Sequence, residues 1–553
     1  MEAVKNLECN REELLGVEGS ERSEGGDGNW GGHPRPGDCE STGAGRPITG
    51  AELGSGRPAG MASEAAEVLF DPAGNTTVGE GRAATSSMLE REERPVSAPV
   101  ASPTLGAEAN AFDTVRALQH KLYRAAKADP GRRFHALYDK VHRRDVLWRA
   151  WVQVWRNGGA PGIDHTTIAD VERYGVTRLL DELGSELREG TFRPLPARRV
   201  YIPKPGQVEM RPLSIPAVRD RVVQAALKTV LEPVFEADML PCSFGFRPKR
   251  SAHDALQVLI DESFAGRHWV VESDIANCFT AIPHSGLMSA LSERICDRKV
   301  LALLRAFLSA GVMEDGAVRR PVSGTPQGGV VSPLLCNVYL NRLDRAWSPA
   351  YGRLVRYADD LLVACSNRGQ AEYALAKLTT LLHELGLEPK PQKTRIVQLA
   401  EGGPGFDFLG FHHRLVRSST RRGAGGYVFL ARWPSERAVQ HARDRIRFLT
   451  MRARLVAPVE QVVAEVNLFL RGWAGYFRFG NSAWVFDKTR SYAVMRIALF
   501  VAKRHKRGRA WGFAQMYRDP VQLGLVSLNG TVVAPRPNKP WRVKLNAAGE
   551  GRR

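Results

Sequence analysis

Asp359 and Asp360 stand side by side in RLVRYADDLLVACS, residues 353–366, between two short apolar runs. Leu354-Val355, a polar tip and Leu361 to Ala364 make the pattern of strand, tight turn, strand. A turn tolerates Asp-Asp because short polar side chains satisfy nearby backbone groups. Two anions that close repel, so a proton or a cation must neutralise them. Mg²⁺, held by one or two carboxylates plus the phosphates of a substrate, is the usual cation. Taken alone, the segment could equally be an acidic hairpin turn. VVESDIANCF, residues 270–279, shifts the balance, because an apolar run there ends in Asp274, 85 residues before Asp359. A phosphoryl-transfer site with two metal ions about 3.5–4 Å apart needs such a third carboxylate from a neighbouring strand.

The elements that must position these acids belong to a chain of 553 residues with net charge +19, long enough for several domains. The charge is unevenly spread. Residues 1–110 carry a balance of −10, leaving +29 on the remainder. A folded region that basic repels itself unless a polyanion lies on it, and nucleic acid is the obvious one. No apolar run approaches the ~18–20 residues of a membrane span, and the N-terminus lacks a basic-then-apolar signal. Seven scattered cysteines without a C-x-x-C pair fit a reducing cytoplasm. Cys278, Cys336 and Cys365 read as small buried residues.

Residues 1–110, rich in Gly, Ser, Glu and Pro, are expected to be disordered; alternatively the reading frame opens too far upstream, and Met61 or Met88 is the true start. From Phe112 the spacing turns helical and basic, with Trp148, Trp151 and Trp155 on one packed face. YIPKPGQVEMRPLSIP, residues 201–216, reads as a hairpin on which Lys204 and Arg211 converge on a phosphate cluster. CSFGFRPKRSAHDA, residues 242–255, puts Arg247, Lys249 and Arg250 among aromatics, suited to a template backbone with stacked bases. A helix over 252–264 then feeds the Asp274 strand, and His253 is expected to pack or cap. His412-His413 has no further ligand at useful spacing for a metal.

The acid motifs resemble those of a reverse transcriptase palm, and specifically the group II intron reverse transcriptase–maturases. YADD resembles the catalytic hairpin, SDIANCF the first acidic motif, and TPQGGVVSP, residues 325–333, the segment between them in order. The resemblance runs from about Phe112 to Pro535 and implies an α+β right-hand fold: fingers and a palm of antiparallel sheet packed on helices, then an α-helical thumb. It implies two Mg²⁺ ions, with Mn²⁺ a substitute, held by Asp274, Asp359, Asp360 and the Ile275 carbonyl. Lys204 and Arg211 would hold the incoming triphosphate, Phe279 would crowd its sugar 2′ position, and Gln327 would contact the nucleotide. The glycines after Gln327 would let backbone approach the nascent base pair. Lys393, in LGLEPKPQKTRIV, and Leu409-Gly410, in FDFLGFHH, would meet template and primer. RGWAGYFRF, residues 471–479, resembles the maturase thumb, with Arg471, Trp473, Tyr476 and Arg478 on RNA.

The expected domains are 1–110, an acidic extension; 111–200, a helical extension and start of fingers; 201–415, fingers and palm; 416–510, thumb; and 511–553, a short basic tail. No Cys pairs follow the thumb, so the endonuclease-lacking type is expected. The expected function is RNA-directed DNA synthesis joined to assistance of intron splicing and retrohoming. Partners are intron RNA, an RNA template, a DNA primer or target and deoxynucleoside triphosphates, with no membrane. The compartment is the cytoplasm, at the nucleoid when DNA is the substrate. The alternatives are a host-adopted or defence-associated reverse transcriptase without an intron, and a splicing-only RNA chaperone.

Overall fold

The computed structural model describes residues 105–203, 210–320, 322–418, 427–518 and 523–538. Lys204, the expected disorder of residues 1–104 and the basic end of the tail lie outside them. From Leu105 the chain is already helical, earlier than expected. In chain order the strands are β1 (Ala197–Pro203), β2 (Met210–Ile215), β3 (Trp269–Asp274), β4 (Val312–Glu314), β5 (Ala317–Arg319) and β6 (Arg353–Tyr357). They continue with β7 (Asp360–Cys365), β8 (Arg395–Gln398), β9 (Phe406–Phe408), β10 (Phe411–Arg417) and β11 (Val428–Pro434).

The palm sheet, in the order β6-β7-β3-β8, is antiparallel throughout. Its strands are continuous apolar runs because both faces are covered. Successive residues point to opposite sides of a strand, and here the two sides feed two different cores. Val271, Leu354, Leu361 and Val363 enter one, with the helices Val218–Glu236, Ser332–Ala346 and Arg368–Glu384. Val270, Val355 and Leu362 enter the other, with the helix Ala252–Phe264 and the thumb. A one-residue slip would exchange every side chain between the cores, so the register carrying the acids is fixed by packing.

Two of the helices beside the palm start at side-chain caps. Ser251 and Asp254 form a reciprocal capping box on Ala252–Phe264, and Asn367 accepts from the Gln370 amide ahead of Arg368–Glu384. Of the three tryptophans expected to pack together, Trp151 is buried and Trp148 half-buried. Trp155 is 48% exposed, with its Nε1 donating to Glu172 Oε1 at 2.8 Å. Trp155 lies nearly in line with the half-buried Trp148 at the edge of the buried stripe, and in the last turn of its helix less of the molecule covers it.

The fingers sheet runs β2-β1-β4-β5, with β1 antiparallel to β2 and parallel to β4. Arg211 lies opposite Ile202 in the hairpin register. The third sheet, β11-β10-β9, leads into the thumb helices Glu436–Leu449, Val459–Phe477 and Ala483–Arg504. A fourth helix, Arg509–Arg518, packs on the third, closely enough that a β-carbon on Gly512 would meet the Ala498 carbonyl. Leu525 and Leu528 are buried in the same core. The thumb therefore extends past residue 510, where the tail was expected to begin.

Candidate active site

The acids converge because of strand pairing. Asp274 ends β3 and Asp360 begins β7, directly opposite each other in the antiparallel register. Asp359 precedes Asp360 in the two-residue turn, and its carbonyl accepts from the Ile275 amide at 3.3 Å. Asp274 is nearly buried, and Asp359 and Asp360 are half-buried. Burial and the Asp274 charge push the Asp359 carboxyl up to about 6. Burial, followed by the Asp359 and Asp274 charges, raises Asp360 well above the usual carboxylate range. The Lys393 and Arg211 charges act on Asp359 in the opposite direction.

Three neighbours that hold this hairpin were not anticipated. Arg356, fully buried on β6, grips Asp344 with Nε and Nη2 at 2.8 and 2.5 Å. Its Nη1 donates to Asn337 Oδ1 at 2.9 Å and to the Ala358 carbonyl at 3.1 Å. Ala358 sits at φ +56°, a left-handed conformation that few side chains adopt unsupported. Gly245 closes the other side, where a β-carbon would lie 2.5 Å from the Ala358 amide nitrogen. The signals in the sequence were a lone Arg within an apolar strand and a Gly between two Phe residues.

The third neighbour corrects an expectation. Lys393 was expected on template and primer, but its Nζ lies 2.8 Å from Asp274 Oδ2. The segment Pro389–Lys393 folds back along the end of β3, with the Lys390 amide donating to the Asp274 carbonyl at 2.7 Å. An ammonium that close relieves the mutual repulsion of the acids.

Other expected positions divide into surface and core. Lys249, Arg250, Arg471 and Arg478 are exposed. Arg247 is not a template contact: it is buried, chelating Glu236 and donating to the Leu240 and Ser243 carbonyls. Its guanidinium fork matches acceptors from one short loop, so it fastens the loop to the helix. Phe244 is also buried, leaving it covered by Arg250 rather than open to a base. Trp473 and Tyr476 face the thumb core instead of RNA, since Val459–Phe477 buries the stripe that contains them. Leu409 is buried too. The turn Leu409-Gly410 has both φ angles positive, as a two-residue hairpin requires. The Tyr476 hydroxyl donates to its Leu409 carbonyl at 2.9 Å and Ser435 N to its Gly410 carbonyl at 2.9 Å, so only backbone is left to present.

Gln327 and Phe279 are half-buried. Gly328 does use its lack of a side chain for close approach, but to β2, where a β-carbon would meet the Ser214 carbonyl at 2.5 Å. His253 packs, as expected, among Phe411, Tyr476 and Phe479, with Nε2 2.8 Å from the Tyr476 carbonyl. His412 bonds Asp407, and His413 is buried against Phe406. Cys278, Cys336 and Cys365 are buried, as the sequence indicated.

Among the described residues no three His, Cys, Asp or Glu side chains close around a point as a ready metal cage. Mg²⁺ does not require one, because it takes one or two carboxylates and completes its shell with phosphate and water oxygens. Three clustered carboxyls, with burial and mutual charge raising those of Asp359 and Asp360, make a donor set that fits such an ion.

A palm sheet on which three acids converge, preceded by a fingers hairpin and followed by a helical thumb, has the architecture of a right-hand polymerase fold. Comparison with known proteins specifies it further. The family described as "Reverse transcriptase (RNA-dependent DNA polymerase)" matches residues 202–413, and "Group II intron, maturase-specific domain" matches residues 439–517. Protein YkfC of Escherichia coli K12 is 34% identical over 349 residues, covering 55% of this chain and 89% of that protein. The group II intron-encoded protein LtrA of Lactococcus lactis subsp. cremoris is 38% identical over 214 residues, 38% of this chain and 35% of LtrA. Nuclear intron maturase 2, mitochondrial, of Arabidopsis thaliana is 30% identical over 167 residues, 23% of each chain. The chain belongs to the group II intron reverse transcriptase–maturase family. Among its described residues no helix is long and apolar enough to cross a membrane.

Proposed function

We propose that the protein copies RNA into DNA at the Asp274–Asp359–Asp360 cluster and clamps intron RNA with its thumb to assist splicing. The observation that carries this reading is the pairing of Asp274 with Asp360 across two strands, with Asp359 in the adjoining turn. Asp274 and Asp359 would hold two Mg²⁺ ions, with Asp360 supporting them. Bound there, the metal would supply the charge that lowers the pKa of a primer 3′-hydroxyl and steadies a leaving pyrophosphate.

The chain's own groups do the rest. Arg211 lies near enough to influence the Asp359 carboxyl, so it would neutralise a triphosphate held beside the acids, a role the sequence also assigns to Lys204. Removing one such charge costs on the order of 2–4 kcal/mol of transition-state stabilisation. Phe279 crowds the sugar 2′ position, and Gln327 meets the nucleotide. Arg471 and Arg478, on the exposed side of the thumb helix, hold RNA by its backbone.

Asp359→Asn should abolish extension of a DNA primer on an RNA template while RNA binding persists. The substitution keeps the shape and removes the anion. Retained synthesis would overturn the reading, and lost RNA binding would mean that the fold, rather than the chemistry, had failed.

A further inference from the structure

We infer that the loop Ser323–Gly328 is a rigid strut that positions the sugar-crowding Phe279, with His284 and Gly324 as specificity-positioning residues. This rests on the reading of Phe279 as the sugar gate. Phe279 lies in the four-residue helix Cys278–Ala281 that follows β3, and the backbone oxygens of Phe279, Thr280 and Ile282 are taken up by the loop. The Thr325 amide donates to the Phe279 carbonyl at 2.6 Å, and Ser323 Oγ to the Thr280 carbonyl at 3.1 Å. The Gly324 amide donates to the Ile282 carbonyl at 2.7 Å. His284 Nε2 lies 2.7 Å from the Gly324 carbonyl and must donate to it, which locks the loop from its far side.

Gly324 is the point of closest approach. At φ +90° its β-carbon would lie 2.7 Å from Thr280 Cα and 2.9 Å from the Phe279 carbonyl oxygen. Neither neighbour is a flexible side chain that could swing away, so any side chain here pushes the gate turn itself.

The other end of the loop is pinned just as closely to the strand that bears Arg211. Ser214 N donates to the Gln327 carbonyl at 2.6 Å. Gly328, at φ +109°, brings its backbone against the Ser214 carbonyl and the Leu213 side chain. Behind the loop, Gln224 Oε1 accepts from the Val330 amide at 2.8 Å and Ser332 Oγ donates to the Pro326 carbonyl at 2.9 Å. One stiff segment therefore spans from the aromatic that tests the sugar to the strand that receives the triphosphate. A nucleotide seated between them is measured by the length of that segment. A ring displaced by a fraction of an ångström leaves room for a 2′-hydroxyl without losing the deoxy substrate.

The test is steady-state incorporation of a deoxynucleotide and of its ribonucleotide by the full chain on an RNA template. His284→Leu removes the lock and His284→Gln keeps a donor, while Gly324→Ala acts on the gate end and Gly328→Ala on the fingers end. Expected is a fall of about ten-fold or more in deoxy-over-ribo preference for His284→Leu and Gly324→Ala, the scale on which small misplacements act. His284→Gln should restore the preference. Gly328→Ala should raise KM for the deoxynucleotide and leave the preference near wild type. RNA binding and thermal melting of each variant report folding, and the His284 pair keeps the test decisive where a glycine variant does not fold. An unchanged ratio in His284→Leu, or rates for both sugars falling in parallel, overturns the strut. Absence of any synthesis by the wild-type chain overturns the polymerase reading instead.

Discussion

Arg356 shows how one buried side chain fixes the turn on which clustered carboxylates sit. It is a charged residue in a strand of the central sheet, fully buried, and it pairs with Asp344, which is equally buried. Breaking one side of such a pair leaves an uncompensated charge in the core, at about 3–5 kcal/mol. Arg356→Met should lower the melting temperature accordingly and stop synthesis. Arg356→Met with Asp344→Leu should recover much of the stability, since a hydrophobic pair of similar volume is often neutral or better. Synthesis should not return, because the Ala358 carbonyl has lost its Nη1 donor and Ala358 keeps a strained φ without it. A double variant that melts like wild type and also extends primers would reduce Arg356 to a packing residue. The three acids were legible in the sequence because charges set into or at the end of an apolar run are costly to bury, a cost that a shared cation would offset. Arg356, Lys393 and Gly245 were not, because what each touches is 12, 119 and 113 positions away in the chain, at Asp344, Asp274 and Ala358. Arg247, Trp473 and Tyr476 went the other way. Their residue types suit nucleic acid, yet burial puts them to structural use.

At the scale of elements, short apolar runs and turn residues located β3, β6 and β7, and the helix Ala252–Phe264 begins and ends where the sequence placed it. Less visible was how loops attach to elements, since a hydrogen bond from an amide to a distant carbonyl leaves no trace in residue type. The helix Val218–Glu236 gives an example with a measurable consequence. Asp220, in its first turn, is 1% exposed; the Leu195 amide donates to Oδ2 at 2.9 Å, and Oδ1 has no protein partner. Burial pushes this carboxyl from 3.8 to about 7. The folded chain therefore keeps a proton that the unfolded chain has released, between about pH 4 and 7. Stability falls as pH rises through that window, by up to about 4 kcal/mol from this group. Asp359, up to about 6, adds a fall of the same sign in chelator-treated protein. Melting in EDTA should drop from pH 5 to pH 8, and Asp220→Asn should make that slope shallower, leaving the part that Asp359 and Asp360 carry. An equal slope in the variant would locate the proton elsewhere.

Across the whole molecule, the basic balance of +29 beyond residue 110 pointed to a polyanion, and the fold sorts those charges into two kinds. Arg247 and Arg356 are consumed inside, while Arg471 and Arg478 stand outside on the same helix, or at its end, as the buried Trp473 and Tyr476. Composition cannot separate these kinds, because the sorting depends on which helical stripe meets the core. RNA affinity can separate them. Each backbone phosphate contact contributes about 0.7–0.9 to the slope of log affinity against log salt. Arg471→Ala and Arg478→Ala should each weaken intron RNA binding at low salt and make the slope shallower by about that amount, with melting unchanged. Trp473→Ala should do the reverse. Its ring packs on Phe477 and Phe486 at 5.1 and 5.5 Å between centroids, so truncation costs about 3–5 kcal/mol of stability. At a temperature where that variant remains folded, its salt slope should match wild type. A shallower slope for Trp473→Ala, or an unaltered one for the two arginine variants, would show that RNA meets the thumb on a different face.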